Sequence, residues 1–187
     1  MNAKCLGALL ALLLPMGAGA QESRPTALLL DGLGVYVQND YIGVSPLAAP
    51  LQQQGYNTVV DTHFMSRSGG VRPAVIVGHS LGGTSALRLA RKIAESGQNP
   101  PLVITIDAAP GSPACVGECI NIHGPGFPDI PGARNIDAWK SGAYLVNHAM
   151  LATNPSVQRM ILQLTGQHIA HLVPPAETAP PRAVHRG

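Results

Sequence analysis

The 187-residue chain is 12% charged and 4% aromatic, with a formal net charge of only +2. That balance excludes the basic stripe of a nucleic-acid-binding domain and the aromatic platforms on which bases or sugars stack. With 45% hydrophobic residues, the chain can bury the core of one domain without relying on staples.

In chain order, Lys4 supplies a positive charge and Leu6 to Leu14 is an apolar run too short to span a bilayer comfortably. Ala18-Gly19-Ala20 follows as a small-residue cleavage site. This predicts a secretory signal peptide over residues 1–20, cut after Ala20, and hence an exported protein, periplasmic or secreted. An uncleaved anchor is the rival reading, but Cys5 lies on the wrong side of the apolar run for a lipoprotein anchor. No later segment is long and apolar enough to cross a membrane.

One domain is expected over residues 21–173. "TALLLDGLG" predicts a buried strand from Thr26 to about Leu30 that ends at glycines. "SPLAAPLQQQG" (Ser45 to Gly55) predicts a helix, with Pro50 marking a kink or an early boundary. Strands are predicted at Tyr56–Asp61, Ala74–Gly78, Leu102–Asp107 and Ile120–Gly124. Thr84 to Ser96 is an amphipathic helix: Leu87, Ala90, Ile93 and Ala94 follow helical spacing and Gly97 stops it. Asn154-Pro155 opens a last helix, as N-cap and first helical residue, with Val157, Met160, Ile161 and Leu164 on its apolar face. The tail over residues 174–187, "PPAETAPPRAVHRG", is proline-rich and expected to be disordered. Continuous apolar strands alternating with helices predict an α/β fold, a mostly parallel sheet covered on both faces.

The chemistry concentrates in "AVIVGHSLGGTSALRLA", Ala74 to Ala90. A strand, then G-x-S-x-G, then a helix is the pattern of a nucleophile elbow, in which a serine sits on a strained turn above the sheet edge. The turn requires very small residues two before and two after the serine, and Gly78 and Gly82 meet that demand. Ser80 is then the nucleophile. The Leu81 N–H, at the helix N-terminus, is the first donor to a developing oxyanion. A glycine-rich turn with an incidental serine is the bland alternative.

From about Leu28 to Leu164 the chain resembles the α/β-hydrolase fold, in its lipase and thioesterase branch, on the strength of "AVIVGHSLGGTSALRLARKIAESG" and the elements around it. The resemblance implies a compact serine hydrolase with triad order Ser, acid, His. Asp107 ends the strand after the elbow helix, where thioesterase-like members carry the acid. Asp137 and Asp129, after the following strand, are the alternatives. His148 precedes "AMLATNPSVQRMILQL", which resembles the family's base-bearing loop and final helix; His123 is the runner-up. His63 precedes the serine and falls out of order, His79 is expected to shape the pocket, and His168, His171 and His185 lie in or near the tail. The second oxyanion donor falls in "DGLG", Asp31 to Gly34, at Leu33 or Gly34.

Two departures stand out. Thr62 to Pro73 must cross between parallel strands without an evident helix, and no insertion is large enough for a lid. Cys115 and Cys119 are an even pair in an exported chain and predict a disulfide across a short turn; a metal site would need two more ligands, with only His123 near.

The function expected is cleavage of an ester (lipase- or esterase-like) or thioester through an acyl-enzyme on Ser80. The substrate is a small-molecule or lipid-like ester, with no cofactor, no metal and no nucleic acid. A non-catalytic binding protein on a hydrolase scaffold and an acyltransferase with the same nucleophile are the alternatives.

Overall fold

The computed structural model describes residues 24–34 and 42–173. The predicted signal peptide and the predicted tail lie outside the described residues. Six strands form one all-parallel sheet: β1 Thr26–Asp31, β2 Asn57–Thr62, β3 Val75–His79, β4 Leu102–Ile106, β5 Cys119–His123 and β6 Arg134–Asp137, in the order β2-β1-β3-β4-β5-β6. Among the described residues four α-helices accompany them: α1 Ala48–Gln53, α2 Leu81–Glu95, α3 His148–Leu151 and α4 Pro155–Leu172. The fold is α/β.

Strand alternation divides the core into two layers. Ala27, Leu29, Val75 and Val77 face Leu51 of α1 and Val157 and Ile161 of α4. Leu28, Leu30, Ile76 and Val103 face Ala86, Leu87 and Ala90 of α2. Both faces of the central strands are buried, which is why they read as unbroken apolar runs.

The Ser45–Gly55 helix is a correction: it is split into a 3-10 turn, Ser45–Leu47, and the shorter α1. Pro50 falls in the first turn of α1, where its missing N–H has no intrahelical partner to lose. Helix α2 begins three residues earlier than its apolar spacing suggests, because Gly82 and Gly83 are helical. At the last helix, the Asn154 side chain accepts hydrogen bonds from the Ser156 and Val157 N–H groups, as its N-cap position predicts.

Strand β6 has no counterpart in the sequence reading. "RNID" lacks an apolar run, because this edge strand is only partly buried. A buried polar ladder holds it. Thr105, Asn121 and Asn135 are in register across β4, β5 and β6. The Thr105 hydroxyl donates to Asn121 Oδ1 (2.8 Å), and Asn121 Nδ2 donates to Asn135 Oδ1 (2.8 Å). Asn135 also accepts from the Ile130 N–H at 2.9 Å and donates to the Ile130 and Ala133 carbonyls, both at 3.1 Å, which seats the β5–β6 connection.

The β2–β3 crossover contains no helix. It is organised on Asp61, which is buried at the end of β2. The carboxylate accepts the backbone N–H groups of Thr62 (2.8 Å), Arg67 (2.6 Å) and Ser68 (2.8 Å). Burial alone would raise the Asp61 pKa, but the donors outweigh it and hold the carboxyl below its ordinary value of 3.8. A carboxyl with a lowered folded pKa stabilises the fold above its ordinary pKa and loses that contribution as pH falls through the folded value. Asp61→Asn is therefore expected to cost about 2 kcal/mol at neutral pH. Urea denaturation at a series of pH values should show the gap from wild type narrowing below about pH 4.

Candidate active site

Ser80 connects β3 to α2 with φ 57° and ψ −123°, a backbone conformation that L-residues adopt only under constraint. The constraint is visible. Its N–H donates to the Ile106 carbonyl (2.9 Å), and its own carbonyl accepts from Gly83 (3.0 Å), Thr84 (3.3 Å) and Ala109 (3.3 Å). A Cβ on Gly82 would run into the Leu30 carbonyl, and one on Gly78 into the Gly82 backbone. Gly32, after β1, lies so near that a Cβ there would be 2.8 Å from Ser80 Cβ. Ser80 occupies the N-cap position of α2, yet its side chain makes no capping hydrogen bond. The hydroxyl is thus not spent on the turn.

Asp107 follows β4, also with positive φ (45°), and is 1% exposed. Its Oδ1 accepts the Gly124 N–H at 2.7 Å, and its Oδ2 lies 3.0 Å from His148 Nδ1. With Nδ1–H directed at Asp107, the Nε2 of His148 is the nitrogen left to accept a proton. His148 opens α3, where the Asn147 side chain caps the Met150 N–H. Two rings flank His148: Phe127 is stacked on it at 4.5 Å, and His79 is tilted at 4.6 Å. His79 Nε2 also reaches the His148 carbonyl at 2.9 Å.

The alternative acids are engaged elsewhere. Asp137 accepts the Lys140 N–H (3.1 Å) and pairs with Lys140 Nζ (3.3 Å); those contacts hold its pKa down. Asp129 is exposed and lies 3.0 Å from His123 Nε2, so the runner-up histidine pairs with the runner-up acid. The His63 N–H bonds to the Asp31 carbonyl beside the first strand. His168 Nε2 reaches the Ala74 carbonyl, at the amino end of β3 and away from Ser80. His171 lies in α4, and His185 lies outside the described residues. Leu81 is the first residue of α2, while Leu33 and Gly34 form the exposed turn after β1, with Gly34 at φ 77°. Phe127 and Gly124 are new partners of the site. Their residue types carry no signal, since each acts through a contact made only in the fold.

Two further groups are electrostatically unusual. Burial, and after it the neighbouring His148, pushes the His79 pKa from 6.5 down to about 4, while the bond to the His148 carbonyl works the other way. Burial raises Asp31 from 3.8 to about 6, against the Val44 N–H, which it accepts at 2.6 Å. Both side chains are therefore uncharged together between about pH 4 and 6.

Exposed apolar side chains follow the carboxyl ends of several strands. Leu33, Phe64, Leu145 and Met150 are more than half exposed, and they belong to segments after β1, β2 and β6. A cleft of about 270 Å³ lies beside His148, lined by Leu145, Val146, Asn147 and Met150 among others. A cavity of about 640 Å³ is at the opposite, amino-terminal edge near Arg24 and Ala74, away from this chemistry. Cys115 and Cys119 are joined in a disulfide in the segment between β4 and β5. Among the described residues no group of three or more His, Cys, Asp or Glu is arranged to hold a metal ion, and no helix is long and apolar enough to cross a membrane.

No family model matches the chain, and no curated protein matches it. A solved structure, the crystal structure of human thioesterase 2, is similar with a TM-score of 0.47 and 10% identity over 78% of this chain and 96% of that one. None of the geometry above depends on that likeness.

The bridge closes a short loop, so its entropic contribution is about 2 kcal/mol. Replacing both cysteines by serine should lower stability by no more than that in chemical denaturation. Intact mass without reductant should show the wild-type protein lacking two hydrogens relative to its reduced form.

Proposed function

We propose that the chain is an exported serine hydrolase that cleaves an ester or thioester through an acyl-enzyme on Ser80. One observation carries the proposal. At the carboxyl edge of a single parallel sheet, a serine held at positive φ with an uncapping hydroxyl follows β3. A buried carboxylate that grips a histidine follows β4, and the chain order is Ser, Asp, His.

The steps follow from the groups present. Ser80 Oγ attacks the carbonyl carbon while His148 Nε2 accepts the hydroxyl proton. Asp107 keeps the Nδ1–H tautomer and offsets the charge of the imidazolium. The oxyanion is met by the Leu81 N–H at the head of α2 and by an N–H of Leu33 or Gly34, the loop that Gly32 brings against Ser80. His148 returns the proton to the leaving oxygen or sulfur, and a water repeats the sequence to release the acid. The exposed side chains of Leu33, Leu145 and Met150 favour an apolar acyl group. The signal-like N-terminus favours oxygen esters over carrier-bound thioesters.

Ser80→Ala should abolish hydrolysis of a short-chain nitrophenyl ester, by about 10⁴-fold or more, with circular dichroism unchanged. Fluorophosphonate labelling should map to Ser80 and disappear in His148→Ala but persist in His123→Ala. Asp107→Asn should be far more damaging than Asp137→Asn or Asp129→Asn. A folded wild-type protein that neither labels nor hydrolyses would make it a binding protein on this scaffold. Ester products formed on added alcohols would make it an acyltransferase.

A further inference from the structure

Among the described residues, five buried side-chain atoms lack a hydrogen-bond partner, and two of them are Asp31 Oδ2 and His79 Nδ1. An unpartnered buried polar atom is destabilising, so two such atoms need an explanation. Their positions supply one. β1 and β3 are neighbours, with Ala27 opposite Val75, Leu29 opposite Val77 and Leu30 opposite Gly78. The next pair in that register is Asp31 and His79. Alternation puts both side chains on the face of Leu29 and Val77, the face covered by α1 and α4. They are 0% and 2% exposed. Adjacent strands lie about 4.8 Å apart, and the two atoms are not hydrogen-bonded to each other, so one enclosed water is the bridge that would satisfy both.

We propose that one enclosed water joins Asp31 Oδ2 to His79 Nδ1, donating its hydrogen to the ring nitrogen, and that this link positions His148. The chemistry of the remaining atoms requires this polarity. His79 Nε2 faces the His148 carbonyl, an acceptor, so Nε2 carries the ring proton and Nδ1 presents a lone pair. Asp31 Oδ1 accepts the Val44 N–H, so Oδ2 is the oxygen free to carry a hydrogen. Burial favours the neutral form of each, as the opposite shifts of their pKa values indicate. A connected path then runs from Asp31, which heads the Gly32–Gly34 loop, through His79 to the backbone of His148. It ties the oxyanion loop to the general base. His79 is a positioning residue on this account, acting through His148 and not on substrate.

The test uses full-length protein with 15N-labelled histidine, the His79 signals being assigned by their loss in His79→Gln. Wild type should show a neutral ring protonated on Nε2, with Nδ1 shielded by an accepted hydrogen bond. Asp31→Leu should remove that shielding. Asp31→Asn should keep it, because the amide can still hold the bridging water. Fluorophosphonate labelling of Ser80 should slow about tenfold in Asp31→Leu, by misplacing the base, and recover most of the wild-type rate in Asp31→Asn. A wild-type ring protonated on Nδ1, or an Nδ1 signal that already looks free, overturns the link even if Asp31→Leu fails to fold. Equal labelling of all three proteins overturns the positioning role. The labelling arm rests on the proposed catalytic role of Ser80. Absence of labelling in wild type counts against that role, while the nitrogen signals still decide the Asp31–His79 link.

Discussion

The arrangement depends on one steric constraint: α2 must start directly over the carboxyl ends of β1 and β3. Gly82 sits against the Leu30 carbonyl and Gly78 against the Gly82 backbone, with no room for a side chain at either. That approach forces Ser80 into the left-handed region, at a cost of about 1–3 kcal/mol. The cost is offset by hydrogen bonds from both sides of the turn, since Ser80 bonds to Ile106 in β4 and receives Ala109 just beyond it. The same bonds fix the path of the chain on either side of Asp107. The strained serine and the buried carboxylate are therefore not independent features. Loosening one turn would move the other.

A small chain pays for this with few covering helices. Beyond α2, the sheet face it covers is completed by connections that have no helix of their own. Two polar anchors replace what helices would supply. Asp61 collects three backbone N–H groups of the β2–β3 crossover, and the Thr105–Asn121–Asn135 ladder gathers the β5–β6 connection. Such anchors stabilise through satisfied polar groups, and each loses most of its effect if one partner is removed. They also leave the carboxyl edge without an added lid element among the described residues, where Leu33, Leu145 and Met150 are exposed.

Much of the sheet was legible because buried parallel strands must be apolar on both faces, and "TALLL", "AVIVG" and "LVITI" satisfy that plainly. The elbow was legible because its steric demand falls on residue types, two glycines at fixed spacing. Strand β6 was not, since an edge strand held by Asn135 needs no hydrophobic pattern. Asp107 and His148 were reachable only through chain order and resemblance. What joins them in space is a 3.0 Å contact between residues 41 apart, and no local pattern encodes it. Phe127 and Gly124 were beyond reach for the same reason. Asp61 reads as an ordinary strand-end aspartate until the crossover folds around it.

The buried pair beneath the site illustrates a constraint that operates on protons and not on shape. Near pH 5 an unfolded chain carries a proton on His79 and none on Asp31, given ordinary values of 6.5 and 3.8. The folded chain reverses this, with His79 near 4 and Asp31 near 6. Taken singly, the raised carboxyl loses about 3 kcal/mol of stability as pH climbs from about 4 to 6. The lowered imidazole gains a similar amount over nearly the same window. Together the pair binds one proton in both states, so the two effects nearly cancel, and folding moves a proton from one side chain to the other without releasing it. A buried histidine beside the general base would by itself make the fold fragile in mild acid. Asp31, one strand away and in register, offsets that penalty between about pH 4 and 6, the window in which neither side chain is charged.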